Sequence, residues 1–250
     1  MYDRLALAYD EMMEDVDYDA WTSYLEELVK IWHSKPPKKV LDLACGTGSH
    51  AVFLAKRGYE VVGVDASIEM LTTADAKARD AGLQIAFYYQ DMRTLNFKAA
   101  FDTVFSSCDS MNYLLEDGDI QKTFAGVSKA LTDGGLFIFD MSSMYRLREV
   151  FGNNTFAANF ENSSYIWENY WDVKSKVSTI ELTLYIKEDG ECYRRFYEVH
   201  QERGYEIEEI EEHLKACGFK MLNIYESFTF DEPNPSSERI HFIAQKPLTG

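Results

Sequence analysis

A doubly wound α/β fold with a mostly parallel sheet is predicted over residues 38–141. Short apolar runs alternate there with helical segments, the runs show little polar alternation, and the helices carry recognisable start and stop residues. The chain of 250 residues, 46% of them hydrophobic, can bury a full-sized core. It is short enough to form one domain with an elaboration.

The elements follow in order. Residues 1–33 read as two helices, the second carrying Trp21, Leu25, Leu28 and Trp32 on about one face, and residues 1–35 are expected to cap an end of the sheet. The core is expected over 38–150 and 204–250. KKVLDLA is the first strand, followed by a helix stopping at Gly58; YEVVGVD is the second, followed by a helix from Ser67 to Gly82. Ser67 is a suitable N-cap with Glu69 in the first turn, and Gly58 and Gly82 suit the left-handed stop. LQIAFYYQD and FDTVFSS are the third and fourth strands. A helix near Asp119–Leu131 places Ile120, Phe124, Val127 and Leu131 on one stripe before the strand GGLFIFDM.

Residues 154–203 change character, with aromatic and β-branched runs punctuated by Asn162-Ser163-Ser164 and Asp189-Gly190. They read as an antiparallel β insertion in the same domain, because about 50 residues is marginal for an independent core. Its expected role is a substrate cover or a dimer contact. IEEIEEHLKACG is then a helix stopping at Gly218, and FKMLNIYESF and ERIHFIAQK form a closing antiparallel pair joined through DEPNPSS.

Composition excludes several functions. A formal charge of −17, from 42 acidic and 25 basic residues, repels phosphate backbones and anionic membranes, so neither nucleic acid nor membrane is an expected partner. The acidic start MYDRLALAYDEMMEDVDYDAW lacks the basic and apolar regions of a secretory signal, and no run approaches the roughly 20 apolar residues that cross a bilayer. A cytoplasmic location is expected. Cys45, Cys108, Cys192 and Cys217 form no C-x-x-C pair and the five histidines are dispersed, so no metal site is expected.

VLDLACGTGSHA, residues 40–51, is a strand feeding a glycine-rich turn and a helix. Such a turn presents backbone N–H groups to a ligand, and the missing Cβ permits close approach. NAD or an adenosyl cofactor would both suit it. Asp42, four residues before Gly46, weighs against a pyrophosphate and suits a cationic ligand. Asp65 ends the second strand, where an acid can accept ribose hydroxyls in either class. Asp91, followed by Met92, closes the third strand, so three acids lie along one sheet edge.

Taken together, VLDLACGTGSHA, VVGVDAS, QDM and FDTVFSS resemble the motifs of the class I S-adenosylmethionine-dependent methyltransferases over about residues 38–141. The resemblance implies a seven-stranded sheet of order 3-2-1-4-5-7-6 with the seventh strand antiparallel, and S-adenosyl-L-methionine as cofactor. Asp42, Ala44, Gly46 and Gly48 would surround the methionine moiety, Asp65 would accept from the ribose, and Ala66 would pack on the adenine. Asp91 would take the adenine amino group, Met92 would lie on the ring, and the Ser107 backbone would lie near the methionine amino group. YDRLALAYD resembles the opening helix of small-molecule members, making Tyr2 and Tyr9, and less so Trp21, candidate lid residues.

Transfer from an activated sulfonium is an in-line displacement, so positioning can supply most of the rate, and a base is required only if the acceptor must first lose a proton. Cys108, Asp109, Asn112 and Tyr113 follow the fourth strand, where the family places substrate-facing groups. Neither an N-P-P-Y tetrapeptide nor a Pro-Cys pair occurs there, which with the acidic balance points to nitrogen or oxygen of a small molecule. Tyr113 and His200 are the candidate catalytic groups; His200, in the polar run EVHQER, reads more readily as a surface histidine. A monomer or homodimer is expected. Two alternatives stay open: a non-catalytic sensor that binds the cofactor, and an NAD-dependent oxidoreductase, which Asp42 and the Asp91-Met92 pair oppose.

Overall fold

The computed structural model describes residues 6, 8–33, 35–188, 190 and 192–248. Tyr2 and Asp189 lie outside them. The N-terminal cap is a single turn, α1 (Tyr9–Met12), followed by the longer α2 (Tyr18–Trp32), whose Asp17 N-cap accepts from the Ala20 amide. The core then alternates β1 (Lys39–Leu43), α3 (Ser49–Lys56), β2 (Glu60–Asp65), α4 (Ile68–Asp80), β3 (Ala86–Tyr89), β4 (Phe101–Ser106), α5 (Asp117–Ala130) and β5 (Leu131–Ser142). Ser67 caps α4 by accepting from the Met70 amide, and Gly58 and Gly82 take positive φ just beyond α3 and α4.

After a π-helical turn at Arg146–Phe151 come β6 (Thr155–Asn159), β7 (Ser163–Asp172), β8 (Val177–Lys187) and β9 (Tyr193–Arg203), then α6 (Ile207–Ala216), β10 (Lys220–Glu226) and β11 (Arg239–Gln245). The main sheet has the order β10-β11-β5-β4-β1-β2-β3, with β11 antiparallel to both its neighbours. Counting only strands of this sheet, that is the expected 3-2-1-4-5-7-6.

Helices cover both faces, which explains why the strands lack polar alternation. On β5, Leu136 and Ile138 face α2 and α3, packing with Trp21, Leu25, Leu28 and Leu54. The intervening Phe137 and Phe139 face α5 and α6, packing with Phe124, Val127, Ile210 and Leu214.

The insertion is an antiparallel meander, β6-β7-β8-β9. Its inner face presents Tyr165 and Trp167 of β7, Leu182 and Leu184 of β8 and Phe196 of β9 to Ala6, Ala8, Tyr9, Met12 and Met70. It therefore lies over the N-terminal segment and the start of α4. Two polar clasps hold it there. Glu11 accepts from the Asn162 amide at 2.9 Å and the Ser163 hydroxyl at 2.5 Å. At the other end Arg203 bonds Asp117 and Glu209, while Asn112 Nδ2 donates to the Arg203 carbonyl.

Candidate active site

The carboxyl ends of β1, β2 and β4 and the loop after β3 open into a cavity of about 470 Å³, roofed by Tyr9 and Tyr18. Ligands of open α/β sheets bind at this edge. Of the residues expected at the cofactor, Tyr9, Asp42, Ala44, Gly46, Asp65, Ala66, Asp91, Met92 and Ser107 all line the cavity. Gly48 is not among the lining residues.

The glycine turn divides its labour. Ala44, Gly46 and Gly48 all have positive φ. A Cβ at Gly46 would meet no protein atom within 4 Å, whereas one at Gly48 would sit 2.8 Å from Ala74 Cβ on α4. Gly46 thus leaves the cavity open, and Gly48 lets α3 start against α4. Gly48→Ala combines left-handed strain with overpacking, and we expect a loss of about 2–4 kcal/mol, read as a lowered urea midpoint at unchanged slope.

Asp65 braces the turn from β2. Its Oδ2 accepts from the Gly46 amide and its Oδ1 from the Ser67 amide, each at 2.8 Å. Burial pushes its carboxyl above the usual range, and those backbone donors oppose the shift. Asp42, inside β1, is buried and accepts from the Ala51 amide in the first turn of α3, while its Oδ2 has no hydrogen-bond partner. Burial first, then the Asp65 charge, raises its pKa to about 7. A buried carboxylate with an unsatisfied oxygen is costly unless a cation or donor reaches it.

Asp91 is already engaged, with Arg93 Nη2 at 2.5 Å from its Oδ2, and Arg93 also reaches Asp119 at 3.0 Å. The hydrogen bond from Arg93 holds the Asp91 carboxyl below its usual range. The pair forms one wall of the cavity.

Past β4 the backbone turns sharply, with Cys108 and Asp109 both at positive φ. That turn sends Cys108 and Tyr113 to the cavity and draws Asp109 and Asn112 away from it. Asp109 pairs with Arg239 at 2.7 Å, and Arg239 also bonds Asp140. Asn112 clasps the Ser142 backbone, donating to its carbonyl and accepting from its amide. Burial pushes the Cys108 thiol far up, so it is no thiolate nucleophile.

The roof holds residues that sequence reasoning missed. Tyr18 and His50 line the cavity with their rings 5.0 Å apart. The Thr22 hydroxyl donates to the Tyr18 carbonyl at 2.7 Å and lies 3.4 Å from His50 Nδ1. Its proton being committed, Nδ1 must donate to it, which leaves His50 Nε2 as an acceptor. Burial lowers the His50 pKa to about 3, so the ring is neutral. The sequence signal available was position, since His50 falls in the first turn of the helix after the glycine turn. Trp21 does not line the cavity; it packs on His50 and Phe228, with the Arg239 guanidinium 5.5 Å from its ring.

His200 is not a surface histidine. It lies on the inner face of β9, 3% exposed, with its ring 6.2 Å from that of Tyr113 and its Nε2 3.2 Å from Glu198. The polar run misled because its outward partners are the apolar ones. Among the described residues no helix is long and apolar enough to cross a membrane.

Comparison with known proteins agrees with this geometry. Residues 40–135 match the family described as methyltransferase domain. The chain is 41% identical to YqeM of Bacillus subtilis, an inferred methyltransferase, over 100% of this chain and 98% of that one. It is 34% identical to an S-adenosylmethionine-dependent methyltransferase of solved structure from Clostridium acetobutylicum, with a TM-score of 0.88 over 100% of this chain and 99% of the other. A more distant relative, 25% identical over 82% of this chain and 84% of its own length, is the dTDP-3-amino-3,4,6-trideoxy-alpha-D-glucopyranose N,N-dimethyltransferase of Streptomyces venezuelae.

Proposed function

The chain belongs to the class I S-adenosylmethionine-dependent methyltransferases, and from that premise we propose that it methylates a nitrogen or oxygen of a small molecule held at the sheet edge. The observation that carries the reading is the pairing of the open Gly46 turn with the unsatisfied Oδ2 of buried Asp42. A cationic ligand fits both. When bound, S-adenosylmethionine supplies a methyl group on a positively charged sulfur.

The residues of this chain then do the following. Asp42 and the turn at Ala44 and Gly46 hold the amino-acid end, with the Ser107 backbone beside it. Gly48 supports the turn from behind. Asp65 accepts from the ribose through lone pairs not used by the two backbone amides. Ala66 and Met92 flank the adenine, and Asp91 accepts from its amino group. Tyr9 closes over the cofactor, joined by Tyr18. The insertion belongs to the same domain and serves as substrate cover.

Nitrogen is favoured over oxygen. The acidic residues that line the cavity, including Asp42, Asp65, Glu116 and Asp119, attract a cationic amine, and the Streptomyces venezuelae relative is an N,N-dimethyltransferase. The purified protein given S-adenosylmethionine and a panel of small amines and alcohols should form S-adenosylhomocysteine at a rate that depends on the added acceptor. Turnover only with nucleic acid or protein acceptors would refute the small-molecule reading.

A further inference from the structure

β9 is built inside out. Tyr197 and Val199 face solvent, 49% and 46% exposed, while the alternating Glu198, His200 and Glu202 point inward, with His200 and Glu202 each 3% exposed. The same inner face carries Phe196, Leu182, Leu184 and Trp167 a few residues away. Burying carboxylates and an imidazole where apolar groups would pack costs stability, and the site beside them accounts for the arrangement. The Tyr113 hydroxyl donates to Glu202, and Tyr113 lines the cavity. Glu202 Oε2 has no hydrogen-bond partner.

Asp42, Asp65 and Asp91 are assigned to the cofactor and Asp119 is paired with Arg93 and Lys122, and the chemistry proposed above needs a proton acceptor beside the substrate. An amine that arrives as ammonium has no lone pair free for methylation until a proton leaves, and a neutral hydroxyl is a weak nucleophile until its proton is taken. His50 is too weakly basic, with its pKa lowered to about 3, and the Cys108 thiol does not ionise near neutral pH. We propose that Glu202, acting through the Tyr113 hydroxyl, receives the proton that the acceptor gives up, and that the acceptors are therefore small molecules whose nitrogen or oxygen arrives protonated. This rests on the function proposed above.

The step balances. The acceptor N–H or O–H bond breaks and its proton passes to Tyr113 Oη, while the Tyr113 O–H proton passes to the Glu202 carboxylate. The electron pair of the broken bond stays on the acceptor atom, ready for the methyl group. Tyr113 is restored as the phenol, and Glu202 is left as the carboxylic acid, which returns the proton to water between turnovers.

The surroundings make room for that proton. Glu202 is faced by Tyr113 and Asp109 from the segment after β4, by Arg146 from the turn after β5, and by Arg239 from β11, with His200 next to it on its own strand face. Arg239 is paired with Asp109 and Asp140, and Arg146 is shared by Asp109, Glu238 and Glu202, so carboxylates outnumber the two arginines. Burial first, and then the Asp109 charge, lifts the Glu202 pKa to about 8, with the two arginines opposing. A base poised there is suited to neutral conditions. Glu202 is a positioning residue here, since Tyr113 stands between it and the substrate.

The test is kinetic, on the full chain with an acceptor from the panel above. Wild-type kcat should rise with pH to a plateau, with its midpoint near 8 as Glu202 ionises. In Glu202→Gln we expect kcat at pH 7 to fall about 100-fold or more, the rising limb to vanish, and the acceptor KM to change by less than about threefold. S-adenosylmethionine uptake by calorimetry should be unchanged, and Glu202→Asp should restore part of the rate and the limb. Tyr113→Phe should lose the same limb, and it decides the matter if the glutamine variant does not fold. Wild-type turnover with both variants keeping kcat and the limb overturns this inference alone. A wild-type protein inactive on every amine and alcohol overturns the proposed function, and this inference with it.

Discussion

Asp65→Ala should weaken S-adenosylmethionine binding by about 100-fold or more, measured by calorimetry on ligand-free protein. The carboxylate anchors two backbone donors, Gly46 and Ser67, that shape the turns on either side of the cavity. Hydrogen bonds to a charged group contribute about 1.5–3 kcal/mol each, and the ribose contacts proposed for the same carboxylate would go with them. Asp65→Asn should fall between the two, because one oxygen remains to accept. Wild-type affinity in the alanine variant would remove Asp65 from the site.

Asp42→Asn should move stability and binding in opposite directions. The folded carboxyl has its pKa raised from 3.8 to about 7. The folded state therefore holds a proton that the unfolded chain releases, so the favourable contribution is complete below the unfolded value and is lost as pH rises through about 7. At 1.36 kcal/mol per unit, the cost of ionising it is at most about 4 kcal/mol at pH 8. Asparagine cannot ionise, yet keeps an oxygen for the Ala51 amide.

The ligand-free variant should thus unfold at a higher temperature than wild type at pH 8, with the gap shrinking towards pH 5. Its affinity for the cationic cofactor should drop by about tenfold or more, since a facing carboxylate no longer offsets the sulfonium and ammonium charges. Binding to wild type should release protons near pH 7, seen as a dependence of the calorimetric heat on buffer ionisation enthalpy. A variant less stable than wild type at pH 8 would mean that Asp42 is already neutralised within the ligand-free protein.

The core was legible because its signals are local. Gly58, Gly82 and Gly218 each take positive φ past a helix, Ser67 caps through its own hydroxyl, and the strand ends carry their acids in plain view. Those features are fixed by three or four neighbouring residues. Gly48 was harder to read, because its partner Ala74 lies on another helix and only the packing tells support from ligand approach. Tyr18 escaped notice for a similar reason: it reaches the cavity from the start of α2, where its ring packs on His50 of α3.

β9 was the plainest failure. In YEVHQER the apolar parity, Tyr197 and Val199, faces solvent and the side that ends up buried is the charged one, so hydrophobic alternation points the wrong way. Pairing across the sheet decides this, with His200 opposite Ile180 and Glu202 opposite Ser178. Asn112 and Asp109 mislead in the other sense, being polar residues in a substrate-facing loop whose side chains are consumed in holding β5 and β11 together.

A crystal structure with S-adenosylhomocysteine bound would place every proposed cofactor contact at once. The ribose hydroxyls should lie on Asp65, the adenine between Ala66 and Met92, and the sulfur towards the end of the cavity that Tyr113 and Tyr18 line. A ligand seated elsewhere, or one reversed so that its adenine meets Tyr113, would contradict that placement.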